Sequence, residues 1–183
     1  MPALLVYYII GVGVGNINFL IPAAIIFSWG GDALLINKDK PIFFKLGLAS
    51  FLISHIFYII AFLGMAAGRL NYLALIISAV VAIPVIIFIL KLVKAPKPMK
   101  IPVAAYAIVI MLMSMAALQL MLASGFNFAG ILIFAASVVF IFSDSFMAYL
   151  LFNGKPKHYN VITMIPYIIA QAGIIMGAVF MSN

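Results

Sequence analysis

Long apolar runs separated by short polar punctuation dominate the chain. They cover roughly 18–36, 43–64, 71–92, 101–123, 127–150 and 160–181. Each is close to the length a helix needs to cross the hydrocarbon core of a bilayer, about 20 residues. A shorter run, 2–14, precedes them and ends among Gly11, Gly13, Gly15, Asn16 and Asn18. One helix from 3 to 36 would be too long, so these residues predict a turn. Their Gly-x-Gly-x-Gly spacing is not a phosphate loop, because no strand precedes it and no lysine follows. The pattern predicts an all-α polytopic transmembrane helical bundle of about seven helices, a single transmembrane domain over 1–183. Prolines agree with these boundaries. Pro41, Pro96, Pro98 and Pro156 fall between runs, and Pro102 opens one, where its missing N–H costs nothing. Pro84 and Pro166 fall inside runs and are expected to kink them. The two halves show no internal repeat, which argues against a carrier built from inverted halves.

Composition strengthens this picture. Of 183 residues, 68% are hydrophobic and only 7% charged, against about 25% charged in soluble domains. There is no cysteine, which excludes disulfides, thiolate nucleophiles and thiolate metal sites. The net charge of +7 does not point to nucleic acid, because the basic residues sit in short connections between apolar runs. Lys38, Lys40 and Lys45 flank one connection, Lys91, Lys94, Lys97 and Lys100 another, and Lys155 and Lys157 a third. Only Arg69 falls on the opposite side. By the positive-inside rule the lysine-rich connections are cytoplasmic. Seven spans then put the N-terminus inside and the C-terminus outside. The N-terminus lacks a basic region and a cleavage site, so it reads as a first span and not as a signal peptide. In a bacterium the default location is the plasma membrane.

The chain has three acidic residues. Asp39 lies in a lysine-bearing connection. Asp32 and Asp144 lie inside apolar runs, in FSWGGDALLI (Phe27 to Ile36) and VFIFSDSFMAY (Val139 to Tyr149). A carboxylate at the centre of a membrane helix costs about 2.5–3.5 kcal/mol, and intramembrane acids are functional candidates by default. At 1.5 Å per residue, Asp32 is about 6 Å and Asp144 about 9 Å from the lysine-bearing ends of their helices. If those helices are neighbours, the two acids converge. His55, roughly 18 Å deep, would form the floor of their pocket. Tyr58 follows on the face of His55, Tyr167 and Gln171 are four apart, and Ser28 shares the face of Asp32. Ser143 and Ser145 bracket Asp144 and point to other faces.

These elements, GDALLI, FLISHIFYI (Phe51 to Ile59), FIFSDSFMAY and YIIAQ (Tyr167 to Gln171), resemble the lysoplasmalogenase, or YhhN-like, family of membrane proteins. They occur in the family's order, from about residue 20 to 180. Family members are drawn with seven or eight helices, and relative to eight this chain is one short at its N-terminus. Trp29-Gly30 also gives the Gly-Asp element an unusual lead-in. The resemblance implies hydrolysis of the vinyl ether bond of a lysoplasmalogen to a fatty aldehyde and a glycerophospho-alcohol. The partners would be a lysophospholipid and the bilayer, with no cofactor, and the sequence is silent on oligomeric state.

Vinyl ether hydrolysis needs a proton donor, a negative charge beside the resulting cation, and a positioned water. Two carboxyls in different environments supply this, as in glycoside hydrolysis. The residues leave open which is which; we take Asp144 as the acid and Asp32 as the base. Substrate-binding candidates are His55, Tyr58, Ser143, Ser145, Tyr106, Tyr167 and Gln171. Bland alternatives stand beside them. Asp32 could be a helix-end carboxylate paired with Lys38, Lys40 or a serine, His55 an interhelical hydrogen-bonding group, and the tyrosines and Gln171 packing groups. Met111, Met113, Met115 and Met121 of the run 101–123 fit ordinary packing better than a lipid tunnel. Topology alone explains Lys91, Lys94, Lys97 and Lys100.

Competing classes fare worse. A retinal protein needs a lysine in its last span, and 160–181 has none. No helical spacing brings two metal ligands together, so no metal site is expected. A proton-coupled transporter using the same Asp/His cluster is the main alternative, since intramembrane acids also serve as relays. Here, however, the acids gather toward one side, and only Gln119 is polar near the far end of its helix. A non-catalytic lipid-binding protein is the third possibility.

Overall fold

A computed structural model describes residues 1–36, 40–154 and 159–182, with the side chains of 159–161 excepted. Lys38, Asp39, Lys155, Pro156, Lys157 and His158 lie outside the described residues.

Seven α-helices account for almost all of the described residues, and no strand occurs among them. They are α1 (Pro2–Val12), α2 (Leu20–Leu35), α3 (Pro41–Met65), α4 (Tyr72–Val93), α5 (Lys100–Ala123), α6 (Phe128–Asn153) and α7 (Tyr159–Ser182). Five of them, α3 to α7, are long and apolar enough to cross a membrane. The chain is thus an all-α, polytopic membrane bundle, as its pattern predicts. The expected span 18–36 is realised as a helix of 16 residues, α2, and α1 has 11; both fall short of the usual crossing length. Between them, Gly13 takes φ 76° and a single turn of 3₁₀-helix follows at Val14–Asn16, so the glycine-rich segment is a turn. Helices α4 and α7 run on through Pro84 and Pro166; neighbouring groups can replace the lost hydrogen bond in an apolar bundle.

The bundle follows from which faces can bury themselves. Along α3 the buried residues are Phe44, Gly47, Phe51, Ser54, His55, Tyr58, Ala61 and Phe62, spaced three or four apart as one face of a helix requires. Along α7, Thr163, Tyr167, Ala170, Gln171, Ile174, Ile175, Ala178 and Val179 do the same. The packed pairs are α2 with α3, α3 with α5, α5 with α6 and α6 with α7, while α1 touches α2 and α7. These six helices form a ring. Helix α4 stands outside it against α5 and α6, with only Ala82 and Val93 buried.

Small residues allow the closest approaches. A Cβ on Gly177 of α7 would stand 2.5 Å from Ile133 and 3.0 Å from the carbonyl oxygen of Ala129 on α6. Gly173, four residues earlier, faces Ala136 in the same way. Such a pair of glycines lets two membrane helices meet backbone to backbone. At the other end of the bundle, a Cβ on Gly31 would stand 2.6 Å from the ring of Phe51. That contact holds α2 tightly on α3 and fixes the position of the next residue, Asp32.

Lys40, Lys45, Lys91, Lys94, Lys97 and Lys100 fall at the end of the bundle where α2 and α4 finish and α3 and α5 start, and Arg69 at the opposite end. The far end is tied by Gln119. Its amide accepts from the Asn71 N–H at 2.8 Å and donates to the Asn71 carbonyl, while the Asn71 side chain caps α4 at Ala74. At the lysine-bearing end, Asn153 closes α6 onto α4 by donating to the carbonyls of Leu92 and Val93.

Candidate active site

Asp32 and Asp144 meet. They come from the last turns of α2 and from α6, and both line a cavity of about 290 Å³ at the lysine-bearing end of the bundle. The same cavity is lined by Tyr106, Ser143, Thr163 and Tyr167, with Leu35, Ile36, Phe44, Leu48, Phe51, Met147 and Met164 forming its apolar walls. Two carboxyls in so small a space are close enough for their charges to interact.

Each carboxyl has a tyrosine of its own. The Tyr106 hydroxyl, from α5, donates to the Asp144 carboxylate. The Tyr167 hydroxyl, from α7, is buried beside Asp32 and within reach of its carboxylate. Tyr167 is held by ring contacts, edge-on to Phe51 and to Phe140. The site is therefore one carboxyl tied to a phenol and a second with a phenol nearby. This asymmetry can separate a proton donor from a proton acceptor.

Ser143 lines the cavity together with Asp144, which corrects the expectation that it points to another face; its hydroxyl is 3.4 Å from the Thr163 carbonyl. Ser145 is not among the lining residues. His55 is not the floor of the cavity. It is fully buried one layer further in, edge-on to the rings of Tyr106 and Phe140. Its Nδ1 lies 2.5 Å from the Phe51 carbonyl and therefore carries the proton, while Nε2 has no partner. Tyr58 and Gln171 do not line the cavity either. Tyr58 donates to Gln171 Oε1 at 2.8 Å, and Gln171 Nε2 donates to Ser28 Oγ at 2.9 Å. Ser28 pairs with Ser54 at 2.8 Å, and Ser54 also reaches the Ala24 carbonyl. This chain of contacts joins α2, α3 and α7 in the apolar interior, where a polar group left alone is expensive.

Three contributors escaped the sequence reading. Phe51 and Thr163 carry no charge and gave no signal. Ser54 could have been found, because Ser50, Ser54 and Tyr58 form a polar stripe with a four-residue spacing on α3. Among the described residues no group of three or more His, Asp or Glu side chains could hold a metal ion.

The profile of the YhhN family matches residues 1–178 of the chain. Comparison with curated proteins and with solved structures returns no match in either.

Proposed function

Because the chain belongs to the YhhN family, we propose that it is a membrane hydrolase that cleaves the vinyl ether bond of a lysoplasmalogen. One observation carries the reading: Asp32 and Asp144, the two acids of the chain that lie within apolar helices, line the same small cavity with two tyrosines. The reaction consumes one water. Asp144, held by Tyr106, delivers a proton to the β-carbon of the vinyl ether, and the adjoining carbon becomes an oxocarbenium ion. Asp32 stands as the negative charge beside that cation and accepts a proton from the attacking water. As the hemiacetal collapses, Asp32 returns its proton to the glycerol oxygen as the C–O bond breaks and the hemiacetal hydroxyl proton passes to Asp144, which restores both carboxyls and releases a fatty aldehyde and a glycerophospho-alcohol. General acid–base help of this kind contributes about 10²–10⁴-fold.

The apolar walls suit an alkenyl chain, and the position of the cavity at the lysine-bearing end suits a phosphate head group held near cationic side chains. We assign that end to the cytoplasmic side. The test is direct. Purified protein is incubated with a 1-alkenyl lysophosphoethanolamine, and aldehyde is followed for the wild type, Asp32→Asn and Asp144→Asn. Aldehyde from the wild type alone is expected. A folded wild type that releases none would sink the reaction.

A further inference from the structure

Building on that reading, we infer that the seam between α2 and α7 at the lysine-bearing end is a lateral opening through which a single-chain lipid reaches the two aspartates from the bilayer, its alkyl tail remaining in the seam. All neighbours in the ring pack directly; α2 and α7 are bridged by α1 and are not themselves among the closely packed pairs. Midway along, they are joined by the Gln171–Ser28 hydrogen bond. The closest approach of α1 to α7, at Gly11 and Val179, is 15 residues beyond Met164, about 22 Å along the helix; the N-terminus of α1 comes back toward Asp32, but no residue of α1 lines the cavity. Between the Gln171 bond and the lysine-bearing end, what separates α2 from α7 is the cavity itself, with Asp32, Leu35 and Ile36 on one side and Thr163, Met164 and Tyr167 on the other.

The rim identifies the occupant. Most of the lining is buried or largely so, but Ile36 is 80% and Met164 52% exposed. The two open lining residues are thus both apolar and lie one on each side of the seam. A mouth made for water-soluble substrates would carry polar groups; one flanked by isoleucine and methionine suits an alkyl chain. Size points the same way. About 290 Å³ sits at the lower edge of what encloses a drug-sized molecule, about 300–1,000 Å³. A head group and a long chain do not both fit, so the tail must leave the cavity. The seam leads it into the bilayer, where the hydrophobic cost of exposing it to water is avoided. The larger groove of about 490 Å³ between α4, α5 and α6 is apolar but holds neither aspartate, so it cannot deliver a lipid to them.

The experiment uses the full chain in liposomes and exploits its lack of cysteine. A lysophospholipid with a saturated ether chain bearing a diazirine is photolysed, and the labelled peptides are mapped. Labelling concentrated on 35–36 and 164 is expected; labelling spread evenly around the bundle, or concentrated on the α4–α6 groove, would overturn the seam. In parallel, Met164→Cys is assayed on a long-chain alkenyl lysolipid before and after reaction with a bulky maleimide. At least a tenfold fall on modification is expected, whereas the same modification of Phe88→Cys, on the outward side of α4, changes the rate less than twofold. Equal effects at both positions would also overturn the proposal. If the photoprobe marks the seam while unmodified protein releases no aldehyde, the seam stands and the vinyl ether reaction fails.

Discussion

The two polar layers of this bundle are built from similar side chains and treat them in opposite ways. In the middle layer, Tyr58, Gln171, Ser28 and Ser54 satisfy one another, and none of them lines the cavity that holds the aspartates. In the layer toward the lysine-bearing end, Asp32, Asp144, Tyr106 and Tyr167 line a cavity. A closed network in an apolar interior holds helices in place, because breaking it strands buried polar groups. Groups turned toward a cavity keep hydrogen-bonding and protonation capacity for something that enters. The first layer is a structural tie; the second is where chemistry is possible.

That contrast can be broken most decisively at the aspartates. Asp32→Asn or Asp144→Asn, which change charge but hardly change shape, should each lower aldehyde release by at least about 100-fold. Thermal unfolding in detergent should move little; a large fall in melting temperature would place these acids in the tie and not in the site. The next largest effect belongs to the packed side of α7. Gly177→Val cannot be accommodated by moving a flexible neighbour, because the Ala129 backbone is in the way. It should cost about 1–3 kcal/mol, seen as earlier unfolding in a denaturant titration.

The tie itself is probed by Gln171→Leu, which leaves the Tyr58 hydroxyl and Ser28 short of a partner. A loss of about 1–2 kcal/mol is expected, with turnover per folded molecule falling far less than in either aspartate variant. If turnover vanished while stability held, the division between the layers would be wrong. Tyr106→Phe sharpens the comparison from the other side, since it removes the donor to Asp144 and keeps the ring against His55. A fall of about tenfold in kcat, worth about 1.4 kcal/mol, is expected, with unfolding close to that of the wild type.

Much of the fold was legible along the chain. The helix limits lie within a few residues of the apolar runs, because run length and punctuation respond to the thickness of the bilayer and to local backbone chemistry. That Asp32 and Asp144 both lie toward the lysine-bearing end was legible too, although α6 runs on to Asn153 and leaves Asp144 nine residues from its helix end against three for Asp32. The departures have one cause. His55 was expected as the floor of the pocket, and Tyr58 and Gln171 beside it. Each lies at about the expected depth, but the rotation and neighbours of its helix turn it away from the cavity. Tyr58 meets Gln171 across 113 residues, a pairing that no local pattern records.

The sequence by itself determined that this is a membrane bundle, how its helices are divided, and that two costly carboxyls lie near one end. Those properties depend on composition, period and length, which are one-dimensional. The tertiary structure alone decided that α2 packs on α3 and that α2 and α7 both line the cavity. It also decided that α4 stays outside the ring and that each aspartate acquires a particular tyrosine. Those outcomes follow from close fits between specific surfaces, such as Gly31 on Phe51 and Gly177 on Ile133. Such fits exist only once the helices have been brought together.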